Sequence, residues 1–549
     1  MATTTSPKER TATGSGFPLN REQRAAVDHG EGPLLVMAGA GTGKTRVITE
    51  RIATLLASNP ELAGENILAL TFTDKAAAEM KHRVMKAAGN DRAKDVWLST
   101  FHSFCLEKIL REANPEIQPL DDIDHRILLR RNIAELDLKI FRRLADPAEF
   151  LRDFQTFFSR CQDELVTPDD YQQHVDKLRG EYERQKSSLE PDARVIAEEE
   201  IAKQEELARV YRVSERLLRE RNLHTFGAQL LQAVELLRTD AELLGRMREQ
   251  YKYILVDEFQ DTNIAQLELL WLLAGGHKNI VAVGDHDQAI YRFRGASFGS
   301  FTIFLKKFCG ASDLQSGAKA DSHAKDHFVS LSQNYRSTRR ILRVAGEMIA
   351  NNERSPLLPP KNLTTDNPEG EKIRVVEFAT YDEEAHWVAS EIQRLHDAGA
   401  HWKSFAVLYR KHVHRAQLVD ALRRRRIPFV IRRASILGNT LVRDLLAWLR
   451  LIALPADNVV CARVLAAPYW ALKPRDLLRL AERADKNRPR GALWDAVEAA
   501  KEEKPKLGEL VETMQRLRQN ARKKTAPELL NELIATLELA PSESDRQYV

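Results

Sequence analysis

The string AGAGTGKT, residues 38–45, constrains this chain more than any other feature. It follows an apolar run, Leu34–Ala38, and leads into a helical apolar pattern over residues 47–53. A strand that hands a glycine-rich turn to a helix N-terminus is the setting of a phosphate-binding P-loop. Glycines let backbone N–H groups approach phosphate closely, and the helix N-terminus adds positive potential. Lys44 is placed to reach β- and γ-phosphates, and Thr45 to ligate magnesium. Ala38, Gly39, Ala40, Gly41, Thr42, Gly43 and Arg46 complete the expected cradle. The competing reading is an ordinary glycine-rich turn between strand and helix. The expectation is a nucleotide site that takes ATP with Mg2+.

The rest of the first half supports a sheet around that loop. Short apolar runs recur at residues 67–73, 253–256 and 280–283, each ending in a polar turn. Continuous runs of this length read as buried parallel strands, so the expected fold is α/β. Residues 106–221 are charged and poor in strand signals, with helical spacing at Leu207, Val210, Val213 and Leu217. They read as a helical insertion, or as a solvated arm. The cluster Phe150, Phe154, Phe157 and Phe158 favours a folded subdomain. Residues 311–327 read as a surface loop. A second α/β pattern follows, with residues 373–378 and 405–409 as its strands, and a helical, charged region begins near Pro455.

Composition removes several classes of function. The 549 residues carry 83 basic and 79 acidic side chains, a net charge of +4. That balance does not mark a polyanion binder, yet permits one if positive charge gathers on one face. Cys105, Cys161, Cys309 and Cys461 form no C-x-x-C pair, which argues against a zinc site and for a reducing cytoplasm. No apolar run approaches the roughly 20 residues that span a bilayer. Residues 1–16 are polar, lack the apolar core of a secretory signal, and read as a disordered lead.

Three further motifs carry chemistry. YILVDEFQD, residues 253–261, delivers Asp257 and Glu258 to a strand end. Asp257 suits magnesium and Glu258 suits a base for the attacking water. Adjacent acids after a strand also serve simply as a helix N-cap. VAVGDHDQAIYRFRGA, residues 281–296, offers Gln288 as a γ-phosphate sensor. Its Tyr291, Arg292, Phe293 and Arg294 interleave aromatics with positive charge, as base-stacking sites do. The same residues also read as a core aromatic pair flanked by surface arginines. LSQNYRS, residues 331–337, holds Arg336, suited to a transferring phosphoryl group, and Tyr335, suited to stacking on a base. The basic run 423–426 reads as a solvated helix end before a strand at 429–431, or as a DNA contact.

In order and spacing these motifs resemble those of UvrD/Rep/PcrA-type superfamily 1 DNA helicases. LNREQRAAV, residues 19–27, resembles the family's Q motif, with Gln23 on adenine. LALTFTDKAAAEMKHRV, residues 68–84, and STFHSFC, residues 99–105, resemble DNA-contacting motifs, with Phe72 and His102. AVLYRKHVHRAQLVDAL, with Tyr409 and Arg410, resembles the second motor. The resemblance covers residues 17–460. It implies RecA-like motors: 17–105 with 222–300 as the first, 106–221 inserted, 301–454 as the second, and 455–549 a helical subdomain. ATP would sit against Lys44, Asp257, Glu258, Gln288 and Arg336, with Tyr335 on adenine. Single-stranded DNA, or a 3′-tailed duplex, would touch Phe72, His102, Tyr291 and Phe293. The implied activity is 3′→5′ movement in DNA repair or recombination, with repair proteins as partners and no membrane.

Several positions depart from the family pattern. Asp74 stands where Asn is usual, His286 for an acid, Phe293 for Trp, and Leu441 for an acid. HTFGAQLL, residues 224–231, lacks the family's acids. Neither the family's T-x-H-x-x-K-G-L-E string nor its V-T-R-A-like arginine string occurs in residues 1–549. A positioned arginine contributes about 10³–10⁵ in rate to phosphoryl transfer. The sequence therefore predicts that residues 1–549 alone bind ATP but turn it over slowly, and leaves open an ATP-gated DNA-binding module with little unwinding. DNA-stimulated ATPase measurements on purified 1–549, with Lys44→Ala as baseline, should show slow turnover. Several turnovers per second, abolished by that substitution, would overturn the expectation.

Overall fold

The computed structural model describes residues 18–143, 148–290, 299–310, 327–352, 358, 361–431, 440–467, 470, 472–487, 492–521 and 523–537. The chain divides into two compact units, Met1–Arg374 and Val375–Val549.

The first unit is built on six parallel strands: β1 (Leu34–Ala38), β2 (Ile67–Thr71), β3 (Trp97–Thr100), β4 (Tyr253–Val256), β5 (Ile280–Gly284) and β6 (Phe328–Leu331). Their spatial order is β3-β2-β4-β5-β1-β6. Every residue of β1, β2 and β5 is buried, because helices cover both faces. Alternate residues of each strand point to opposite faces and so feed two cores. Leu35, Met37, Leu68, Leu70 and Val256 pack with Phe104, Phe259 and Phe304. Leu34, Val36, Ile67, Ala69 and Val283 pack with Val47, Ile48, Ile52 and Met80.

Two strands differ from the sequence reading. Residues 97–100 form β3, which the apolar-run criterion passed over because Ser99 and Thr100 interrupt it. Residues 328–331 form β6 at the edge of this same sheet, in parallel register with β1. The compact unit therefore runs past the expected boundary at residue 300, to Arg374.

The insertion folds around its own core. Its helices Leu151–Asp163 and Pro191–Arg219 bury Phe154, Phe158, Val210 and Tyr211 against Leu129 and Leu136, and helix Pro168–Gln185 packs on this core through Tyr171. Glu206, 2% exposed, accepts the backbone N–H groups of Lys139, Ile140 and Phe141 at 3.0 Å each, which fixes that turn. A two-stranded parallel ladder of residues 118–119 with 223–224 clasps the two ends of the insertion.

In the second unit, helices Tyr381–Asp397 and Arg415–Arg424 share a small core of Ala385, Ala389, Ile392, Ala421 and Leu422. Residues 373–378, 405–409 and 429–431, expected as strands, join no ladder among the described residues. Val375, Leu408 and Val430 are 96%, 95% and 89% exposed. A parallel strand needs a neighbour's N–H and C=O groups, and no described residues offer them here. A separate helical core begins at Thr440, earlier than Pro455, and gathers Trp448, Trp494, Leu510 and Met514. No described helix is long and apolar enough to cross a membrane.

One buried charge ties the start of the chain to the sheet. Arg51 lies on α2 (Lys44–Ser58) and is 2% exposed. It donates to the carbonyls of Val27 at 3.1 Å, Gly30 at 2.9 Å and His29, at the end of α1 (Arg21–Val27). Burial lowers its pKa to about 10, so it stays charged at neutral pH. Arg51→Met leaves these carbonyls unpaired and should cost about 2–4 kcal/mol. Thermal unfolding of the first unit should move down accordingly, and an unchanged midpoint would refute this role.

Candidate functional site

The phosphate loop is held open by glycine geometry. Gly41 and Gly43 adopt φ of +77° and +93°, a region that L side chains disfavour. Gly43 is the N-cap of α2 and brings no side chain to the first turn, so that helix end is not capped from within. Neighbouring residues leave no room for side chains on the loop. A Cβ on Gly39 would lie 2.7 Å from Leu363, and one on Gly41 would lie 2.6 Å from the Cβ of Arg336. Thr42 is fully buried, and its hydroxyl donates to the Gly39 carbonyl at 2.8 Å. Ala38 ends β1, while Thr45 and Arg46 lie in the first turn of α2.

The strand ends on either side complete the site. Lys44 Nζ pairs with Glu258 Oε2 at 2.7 Å, and Gln260 Nε2 donates to the same oxygen at 2.8 Å. Glu258 itself has φ +50°, an uncommon conformation for a non-glycine residue. Asp257, 6% exposed, accepts its neighbour's N–H at 3.0 Å. Burial, then the charge of Glu258, raises its pKa to about 6. Asp261 is pushed up to about 7 by the same causes in the same order, against the pull of Lys44. One oxygen of Asp261, Oδ1, is buried without a hydrogen-bond partner.

Three acids against one lysine, one of them holding an orphaned oxygen, suit a divalent cation. The hard oxygen donors of Asp257 and Thr45 are of the kind magnesium takes. By contrast, Asp285, His286 and Asp287, close enough to share an ion, are already served by an ammonium. Lys361 Nζ lies 2.5 Å from Asp285 and 2.7 Å from Asp287.

Residues 332–336, after β6, close over the phosphate loop. Tyr335 N donates to the Gly41 carbonyl at 2.9 Å, and Asn334 Nδ2 to the Ala40 carbonyl at 2.6 Å. Tyr335 is 53% exposed, and its hydroxyl accepts from Asn20 at 2.9 Å. Arg336 is exposed, with its stem against Gly41. Gln288 Nε2 donates to Asp285 Oδ2 at 2.7 Å. Gln23 is 1% exposed, and both its amide atoms are engaged, with Thr42 O at 2.9 Å and Asn20 N at 3.2 Å. It therefore braces the phosphate loop.

The expected DNA-contact residues fall into two groups. Phe72 follows β2, and His102 follows β3, and the two segments meet where Thr100 donates to Asp74 at 3.3 Å. His102 packs edge-on against Phe226, with centroids 5.7 Å apart. Burial lowers the His102 pKa, opposed by Asp74. Tyr291, Arg292, Phe293 and Arg294 lie outside the described residues. The sequence reading missed Asn334, Lys361, Leu363 and Phe226, although Asn334 and Phe226 lie inside motifs it had singled out.

The raised pKa of Asp261 gives a pH test. Its native state holds a proton that the unfolded chain has lost between about pH 4 and 7, so this group's contribution falls as pH rises through that window. Asp261→Asn should gain about 1–2 kcal/mol over the parent at pH 8 and nothing at pH 4, read as the difference between unfolding curves. A difference that does not change with pH would overturn the assignment.

Comparison with known proteins gives the site a context. Residues 19–309 match the family model of the UvrD/REP helicase N-terminal domain, and residues 329–488 that of the UvrD-like helicase C-terminal domain. The chain is 33% identical over 477 residues to the ATP-dependent DNA helicase PcrA of Staphylococcus aureus, covering 85% of this chain and 58% of that protein. The protein of the same name from Leuconostoc citreum is 33% identical over 476 residues, 85% of this chain and 57% of its own length. The chain thus spans somewhat more than half the length of these relatives.

Proposed function

The chain belongs to the UvrD/REP helicase family, and from that premise we propose that it is the ATP-driven motor of a UvrD-type DNA helicase, moving 3′→5′ on single-stranded DNA in the cytoplasm in the service of DNA repair or recombination. The observation that carries this reading is the Lys44–Glu258 pair, a phosphate-loop lysine resting on the acid that follows β4.

The chemistry follows from that pair. A triphosphate draws Lys44 off Glu258, because the phosphate oxygens carry more charge than one carboxylate. Glu258 is then free to orient the attacking water and accept its proton. Thr45 and Asp257 would hold Mg2+, which would supply positive charge against the triphosphate. Gln288 donates to the γ-phosphate, and Arg336 stabilises charge on the group being transferred. Tyr335, with its ring exposed above the loop, stacks on adenine. Phe72, His102, Tyr291 and Phe293 are the residues we assign to contact with the DNA strand. Stacking contributes about 1–3 kcal/mol per base, enough to hold a strand and weak enough to release it each step. Repair proteins are the expected partners.

Lys44→Ala should weaken binding of a fluorescent ATP analogue at least about tenfold. Glu258→Gln should keep that binding while slowing single-turnover hydrolysis on DNA by about 10²–10⁴. Unwinding should require a 3′ tail. Unimpaired hydrolysis by Glu258→Gln, or equal unwinding of 5′-tailed duplex, would sink the proposal.

A further inference from the structure

Resting on that ATP-motor reading, we infer that Lys361 is a positioning residue for Gln288, setting how readily that amide leaves Asp285 for a γ-phosphate. Lys361 is 7% exposed and stands between Asp285 and Asp287, themselves 3% and 5% exposed. One ammonium serves two carboxylates in a site nearly free of water, where charge interactions are strong. It holds Asp285 by Oδ1, and Gln288 is held by Oδ2 of the same carboxylate. The ammonium draws charge from that carboxylate and weakens its hold on the amide. Without it, Gln288 would have to leave a full, uncompensated anion. Two buried negative charges would also face an incoming third phosphate. Both effects oppose ATP and spare ADP, which has no γ-phosphate.

Lys361 also joins the two walls of the site. Two residues on, Leu363 lies against Gly39 of the phosphate loop. Thr364 N donates to the Ser332 carbonyl at 2.9 Å, and Thr364 O accepts from Asn334 N at 2.7 Å. The Asn334 side chain in turn holds Ala40. On the other side, Asp285 N donates to Gln260 at 2.9 Å, and Gln260 leads through Glu258 to Lys44. A line of polar contacts therefore runs from Lys44 to Lys361, and the segment carrying Lys361 returns to the loop that carries Lys44. A displacement of the loop by phosphate reaches Gln288 by both routes.

The test compares affinities of purified 1–549 for fluorescent ADP and for a non-hydrolysable ATP analogue, with magnesium, so that no turnover is required. Lys361→Met should leave ADP affinity within about twofold and lower the ATP-over-ADP preference about tenfold, the order of one charge-assisted hydrogen bond. Gln288→Ala should lower it similarly, and the double variant no further, because both act through one contact. Lys361→Arg should restore most of the preference. Should Lys361→Met fail to fold, Lys361→Gln keeps a hydrogen-bonding head without the positive charge and carries the same expectation. An unchanged preference in these neutral variants, or full additivity with Gln288→Ala, would overturn the inference. Lys44→Ala separates the two levels: if it leaves all nucleotide binding intact, the ATP-site reading itself fails, and this inference with it.

Discussion

The parallel sheet is the constraint from which the site follows. Parallel neighbours end on the same side, so β1, β4, β5 and β6 deliver residues 38–45, 257–261, 285–288 and 332–336 to one edge. Register does the fine placement. A one-residue slip of β4 would carry Asp257 into the apolar layers, a costly burial of charge. The apolar runs therefore act on chemistry indirectly, by fixing where each strand stops. Strand order matters as well: β5 separates β1 from β4, and the long Lys44 side chain spans that gap to Glu258.

Charge at this edge is unbalanced by design of the same geometry. Five carboxylates, Asp257, Glu258, Asp261, Asp285 and Asp287, share two ammoniums, those of Lys44 and Lys361. A bare triphosphate would meet net repulsion there, and a divalent cation would relieve it. The raised pKa values of Asp257 and Asp261 come first from burial and then from this crowding, through the charge of Glu258. The glutamate in a left-handed backbone conformation adds strain at the point where the charges meet.

Much of this was legible in the sequence, for definable reasons. Strands β1, β2, β4 and β5 are continuous apolar runs ending in turn residues, and that pattern has few alternatives when helices cover both faces. The phosphate loop and the Asp257–Glu258 pair announced themselves by residue type and context together. β3 and β6 were passed over because four mixed residues carry no period. Residues 373–378 and 405–409 show the converse error, since apolar character makes a strand only where a neighbour pairs with it. Lys361 was illegible because its partners lie 76 residues or so away in the chain, and no local rule links them. Gln23 was found by its motif, yet its contacts, two hydrogen bonds to backbone groups, could not be read from spacing.

The late strand β6 has a consequence for how the molecule is made. It pairs with β1, and the residues that follow it lie on the phosphate loop, yet almost three hundred residues of chain are synthesised between the two strands. As the chain leaves the ribosome, β1 can join β5 well before β6 exists, leaving one edge of β1 with unmatched N–H and C=O groups. The nascent sheet is then open at the margin nearest its nucleotide loop, a state prone to pairing with a second nascent chain. Closure waits for residue 331, and the last walls of the cradle, Tyr335 and Leu363, arrive later still. Competence to hold nucleotide is thus acquired at the end of this unit's synthesis.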